Sequence, residues 1–458
     1  MQQRLLILSV CLIQFFCPFM GNSLNIAVPA LSSEYATSPE NITWVMNVYM
    51  IATASFLLPA TALANFFGYR NLYFSGCLLA SAATLAVPLS PTFSILLFAR
   101  VMQGICLSMV FCSSMALLVD KIDKEKRATA IGFAVGAVYT GLSLSPLIAG
   151  VIADSLGWRS IFFVTVIGLF TAGILVRKVL KDLPNSRHFN LPKMSLCFLG
   201  IALILLSFSI ASYHIPALIL VICGIAFLSA YLVFESRSRH PVFPIGLVIG
   251  NKTLTLALGA SAFNYMSNFS ISLLLALHMQ FILGFSASHT GVFLVIQPAI
   301  MMVLSSCAGK IAKYMNAHTS GSIGMILIFS ALVLLHFLHP ESSLYHMIIC
   351  QIIAGIGFGL FSAPNTTIVM SSVKREQLAL ASALQAITRT VGMACCMAIL
   401  TTILNSYIDT PHGTKLYTHE LSNAISFSFM ISALIAIIGC AFCFAGLIYI
   451  KKKNNVVI

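Results

Sequence analysis

Apolar runs of about twenty residues recur from one end of the chain to the other, separated by short polar connections. A membrane-crossing helix needs about 20 mostly apolar residues. Fourteen segments meet that length: 5–30, 42–65, 71–90, 93–119, 128–153, 160–180, 194–212, 215–234, 253–282, 288–309, 320–338, 345–370, 378–407 and 422–450. The longest connections, 181–193, 235–252 and 408–421, are too short to hold a soluble domain. The pattern predicts an all-α polytopic membrane protein.

Composition agrees. Of 458 residues, 59% are hydrophobic and 8% charged, and mean hydropathy is +0.98. An average soluble domain carries about 25% charged residues. Soluble enzymes, disordered chains, disulfide scaffolds and nucleic-acid binders are therefore excluded. Most of the thirteen cysteines sit inside apolar runs, where Cys behaves as a small hydrophobe. No spacing of Cys and His suits a metal, and no cofactor is expected. The first apolar run is too long for a cleaved signal and reads as an uncleaved span.

The net charge of +13 is a topology signal. With the N-terminus in the cytoplasm and fourteen crossings, 21 of the 25 Lys and Arg fall on the cytoplasmic side. Arg159 and Lys415 fall outside, and Arg100 and Arg389 lie within spans. Both termini are then cytoplasmic.

A weak repeat links span 2, followed by Thr61-Ala62-Leu63-Ala64-Asn65-Phe66-Phe67-Gly68-Tyr69-Arg70, with span 10, ending Gly309-Lys310-Ile311-Ala312-Lys313. The offset of eight spans fits two six-helix halves, 1–180 and 253–458, around a two-helix insert and its connections, 181–252. Repeated halves around a central site are a transporter pattern.

Several fragments stand in an order that carries a resemblance. Span 1 ends Asn25-Ile26-Ala27-Val28-Pro29, and span 2 holds Trp44 and Tyr49 in W-x-x-x-x-Y spacing. Span 4 has Arg100-Val101-Met102-Gln103-Gly104. Span 5 runs through Gly132, Gly136 and Gly141 to Ser145-Pro146-Leu147-Ile148-Ala149-Gly150, and Gly157-Trp158-Arg159 follows. Span 13 has Arg389-Thr390-Val391-Gly392. In these features the chain resembles the major facilitator superfamily, and within it the fourteen-spanner drug:proton antiporters. The resemblance implies two six-helix bundles plus two inserted helices, an inner-membrane location, and export of small organic compounds in exchange for protons. It links Arg100 to proton coupling.

The chain also departs from that pattern. The loop motif has Asn65 for an Asp and Phe66 for an Arg, and its second copy has Lys313 where an Asp is usual. Span 1 has Met20 where the family often has an acid, and Ser145 and Ala149 replace two glycines of the span 5 motif.

The candidate residues follow from polarity within apolar spans. A cation near the bilayer centre costs at least about 2.5–3.5 kcal/mol and usually faces a cavity, which marks Arg100 and Arg389. Asn25, Asn47, Tyr49, Gln103 and Gln297 are polar groups that either join helices or line a pathway. Gly136, Gly141, Pro146 and Gly150 form a candidate pivot between the halves. Asn65, Gly68, Arg70 and Asp120 form a candidate cytoplasmic gate. None of the twelve acidic residues falls mid-span, so Asp154 and His278 are the titrating candidates. Two span arginines without span acids suit an anionic or zwitterionic substrate better than a lipophilic cation.

A secondary transporter is thus expected, with a small-molecule substrate, protons as the resembled family's co-substrate, the lipid bilayer as surroundings and a monomeric state. An anion exporter or passive facilitator is the nearest alternative, and a non-transporting receptor or scaffold a further one. No paired acids, His cluster or activated nucleophile sits in a span, so an enzyme is not expected. No Walker motif marks a pump.

Overall fold

The computed structural model describes residues 2–179, 191–209, 214–237, 245–306, 315–373, 377–408, 410 and 414–455. Among them there is helix and no strand. The first half holds α1 (Gln2–Glu34), α2 (Pro39–Phe67), α3 (Tyr69–Ala86), α4 (Phe93–Lys121), α5 (Lys124–Leu156) and α6 (Arg159–Val179). Next come α7 (Leu191–Ser209), α8 (His214–Ser236) and the short α9 (Ile245–Gly250). The second half holds α10 (Lys252–Asn268), α11 (Ser270–Leu277), a π-helical turn (His278–Ile282), α12 (Ala287–Leu294) and α13 (Ile296–Ser306). It closes with α14 (Ala317–His336), α15 (Leu344–Ser371), α16 (Leu378–Tyr407) and α17 (Lys415–Asn455).

Eleven of these helices, α12–α13 counting as one, are long and apolar enough to cross a membrane. The exceptions among the apolar segments are α3, α7 and the broken 252–282. This is an integral membrane protein.

Local chemistry sets many of the boundaries. Ser38 caps α2 by accepting the Asn41 N–H, with Pro39 in the first turn, where its missing N–H costs nothing. Thr92, Asn251 and Ser343 cap α4, α10 and α15 in the same way. Gly68 alone joins α2 to α3, at φ +85°, a conformation that side chains disfavour. Pro298 has no N–H to give Leu294, and the helix breaks there into α12 and α13.

Each half packs around its own helices, and the halves meet along two seams. At one seam α2 lies on α16; at the other α5 lies on α12 and α13. The α7–α8 hairpin covers the first seam, α7 touching both α2 and α16. Leu58, Ala62, Met194, Cys197 and Tyr231 form a small core there, with Ile387 against it. Lys193 and Glu235 lie at the two ends of the hairpin's sequence, next to its connections. The structure buries both and pairs them within the hairpin, since apposed opposite charges make burial tolerable.

The bundle has a near end, where α1 starts and α2 finishes, and a far end, where α1 and α5 finish. Polar ties between the halves gather on the far side. Thr43 and Thr401 hydroxyls bond at 3.2 Å, and Asn47 Nδ2 donates to Thr401 Oγ1 at 3.4 Å. Asp154 Oδ2 accepts the Ser288 N–H at 2.8 Å. Deeper in, Asn25 Nδ2 donates to Ser272 Oγ at 3.3 Å.

Candidate functional site

A central cavity with about 1370 Å³ of free space, counting its open mouth, lies between the halves. Helical spacing puts its lining on single faces. Gln14, Pro18 and Gly21 line it from α1, Ser362, Thr366 and Met370 from α15, and Gln385, Arg389 and Met393 from α16. Tyr49, Phe111, Met115 and Leu142 are also in the first half's wall, and Tyr265, Phe269 and Phe358 in the second's. Met115, Met370 and Gln385 carry the lining towards the near end. The cavity is closed on the far side by the ties just described.

Arg389 is the single charged side chain among the described lining residues. Gln385 Nε2 donates to Thr366 Oγ1 at 2.7 Å, joining α16 to α15. No carboxylate lies among the described lining residues.

The candidate residues divide. Tyr49 and Arg389 line the central cavity, and Gln297 lines a smaller chamber beside it. Arg100 lies behind Tyr49, fully buried, with its guanidinium 4.3 Å from the Tyr49 ring centre. Its Nε donates to the Val45 carbonyl at 3.0 Å and its Nη1 to Gln103 Oε1. Gln103 Nε2 in turn donates to Met20 Sδ and Thr84 Oγ1, both at 2.8 Å. A cation–π contact and two oxygen acceptors offset much of the cost of burying this cation. Arg100 Nη2 has no hydrogen-bond partner. Met20 thus stands beside Gln103, in the Arg100 network, where the resembled family often has an acid. Asn25 and Asn47 are buried in the inter-half ties rather than in the cavity wall.

The span 5 glycines have unequal roles. A Cβ on Gly141 would stand 2.3 Å from the Phe15 carbonyl oxygen of α1. One on Gly150 would stand 2.6 Å from the Ala287 carbonyl oxygen, across the second seam. Gly291 of α12 reciprocates, 2.2 Å from the Pro146 carbonyl oxygen. Gly136 faces open space. Pro146 leaves the Leu142 carbonyl without its helical donor, and the Ser145 hydroxyl donates to that carbonyl at 3.3 Å. Ser145, a departure from the family's glycine, therefore supplies a bond that the proline removes.

At the near end, Arg70 Nη2 donates to the Arg177 carbonyl at 2.9 Å, tying α3 to α6 beside the Gly68 joint. The side chains of Asn65 and Asp120, and the second loop copy at Lys310 and Lys313, lie outside the described residues. His278 is fully buried in the π-helical turn, with neither ring nitrogen hydrogen-bonded. Asp154 lies at the far end, exposed.

Sequence reasoning missed Gln14, Gln351, Gln385, Asn268 and the three aromatic rings of the second half. The four-residue spacing of Gln385, Arg389 and Met393 was a usable signal, because it puts a polar pair on one helical face.

The Major Facilitator Superfamily model matches residues 10–394 and 257–457. The chain belongs to the major facilitator superfamily. Among similar members is the riboflavin transporter RibZ of Clostridioides difficile, 23% identical over 96% of each chain. The multidrug resistance protein Stp of Mycobacterium tuberculosis is 24% identical, covering 85% of this chain and 74% of Stp. The multidrug transporter MdtP of Bacillus subtilis is 24% identical over 88% of this chain and 76% of MdtP. A solved structure of a bacterial homologue of the human lysosomal transporter Spinster shares the fold, with a TM-score of 0.68, 14% identity and 97% coverage of both chains. This member of the superfamily is accordingly a membrane transporter of small molecules, and a carrier rather than an enzyme.

Proposed function

We propose that the protein exports small organic molecules across a bacterial cytoplasmic membrane through the central cavity, by rocking its two halves about that site. The observation that carries this reading is the cavity itself, set between the halves, tied shut at the far end and lined towards the near end. Counting α3, α7 and the broken 252–282 as crossings gives fourteen spans. The Lys and Arg excess then sets the near end in the cytoplasm, so the cavity opens inward. The multidrug and riboflavin relatives support a small-molecule cargo, and the resemblance to antiporters supports exchange for protons. Gly141, Gly150 and Gly291, at the close helix contacts, are suited to pivoting.

Arg389 in a cavity lining with no carboxylate among its described residues favours neutral or anionic cargo over lipophilic cations. The same feature favours a second reading, in which flux follows the cargo's own gradient without protons. One experiment tests both: comparing compounds exported by cells with and without the protein, at two external pH values. Export of neutral or anionic compounds that fails when the pH gradient is collapsed supports proton exchange. Export that persists supports the facilitator, and export confined to lipophilic cations overturns the cargo assignment.

A further inference from the structure

Beside the central cavity lies a smaller chamber with about 560 Å³ of free space, counting its mouth. It is built where the second half is most broken, between the α10–α11 break, the α12–α13 break and α15. Tyr265, Phe269 and Phe358 wall both spaces, so the chamber lies directly against the main cavity. Tyr265 and Phe358 meet edge to face at 5.5 Å.

Three residues with carboxamide side chains, Asn268, Gln297 and Gln351, line it. Gln297 Nε2 donates to Asn268 Oδ1 at 2.9 Å, which fixes two of them. The third, Gln351, is 1% exposed, and its Nε2 has no hydrogen-bond partner. Leaving such a donor without a partner in an apolar interior is costly. No charged side chain lines the chamber among the described residues. Its chemistry is aromatic walls and amide edges.

We propose that this chamber is a recognition subsite for an uncharged, planar aromatic group bearing an amide or imide edge. A carboxamide presents a donor and an acceptor in one plane, and an imide presents the complementary pair. The rings of Tyr265, Phe269 and Phe358 supply the stacking and edge contacts that a flat ring system fills. Gln351 reads the edge, and the fixed Asn268–Gln297 pair bounds it. This deepens the transporter reading above and rests on it only for the movement of the cargo, not for its binding.

The test is fluorescence titration of the full-length protein in detergent with 1,8-naphthalimide, its N-methyl derivative and 1,8-naphthalate. Naphthalimide binds at least about tenfold more tightly than the N-methyl compound, whose edge lacks the donor. In Gln351→Leu that preference falls to near unity while the N-methyl compound still binds, which certifies the fold. Gln351→Met serves if the Leu variant does not fold, and the wild-type comparison needs no variant. Equal affinity for the two imides, a preference for naphthalate, or a preference that survives the loss of Gln351 overturns the proposal. Failure of both imides to bind means that Gln351 serves only an ordered water, and overturns it too. Flux of naphthalimide in proteoliposomes separates the two readings: binding without flux overturns transport and leaves the subsite standing.

Discussion

Asp154, at the end of α5, accepts the backbone N–H of Ser288 at 2.8 Å, so one half of the protein caps a helix of the other. A carboxylate at a helix N-terminus satisfies an orphan donor and complements the helix dipole. This bond exists only while the far end is closed. Asp154→Ala is therefore expected to shift the population towards far-end opening by about two- to thirtyfold, from a cap worth about 0.5–2 kcal/mol. Labelling of a cysteine placed at Thr43 from the far side reads this out; an unchanged labelling rate counts against it.

Arg100 makes two hydrogen bonds and one cation–π contact and has no carboxylate beside it among the described residues. Arg100→Lys loses the fork that serves Val45 and Gln103 together. It is expected to abolish flux while the protein stays folded, and Arg100→Ala to destabilise it as well. Met20→Glu brings an acid to the Gln103–Arg100 network. It is expected to make transport pH-dependent in a new range, measured as rate against pH in vesicles.

The glycines of α5 give a contrast within one helix. Gly136→Ala, facing open space, is expected to be neutral or stabilising, by about 0.5–1 kcal/mol of helix propensity. Gly141→Ala drives a methyl into the Phe15 carbonyl and is expected to lower thermal stability by about 1–3 kcal/mol. Melting of the purified variants distinguishes them. Equal effects would mean that α5 and α1 are not in close contact.

Glu34 forms an ion pair with Arg159 and accepts the Trp158 Nε1–H at 2.7 Å. Burial alone would raise the Glu34 carboxyl, but hydrogen bonds from Arg159 and Trp158 and the Arg159 charge outweigh it and hold it below the usual value. A depressed carboxylate stabilises the fold above its ordinary pKa and ceases to do so as pH falls through the depressed one. Wild type is therefore expected to melt above Glu34→Gln at all pH values above about 5. The two should converge in strong acid. A gap that widens in acid contradicts the assignment.

The buried Lys193–Glu235 pair predicts non-additivity. Removing either partner leaves a buried charge and is expected to cost about 3–5 kcal/mol. Lys193→Met with Glu235→Leu together should recover most of that loss. A double-mutant cycle on thermal stability measures the coupling.

The helical segments were legible because a twenty-residue apolar run has few other ways to satisfy its backbone in lipid. The breaks were not legible as such. Pro298 lies at one, but the break after Asn268 and the π-helical turn at His278 carry no proline to mark them. Arg389 was legible as a cavity cation from its charge and depth. Arg100, with the same signature, lies behind Tyr49, and depth alone does not distinguish a wall from the layer behind it. Ser145 read as a lost glycine, and its hydrogen bond to Leu142 required coordinates. Gln351 passed unnoticed because a single amide in an apolar span has no period to betray it.

The hairpin's position on one seam gives the molecule a handed relation to its lipid. A molecule dissolved in the bilayer that approaches between α2 and α16 meets α7, with Phe198 packed edge to face on Phe56. On the opposite side, α5 meets α12 and α13 with no further helix in front among the described residues. The two inserted helices thus cover one seam between the halves, while the other is closed by the glycine contacts of α5 with α12 and has no described helix in front of it.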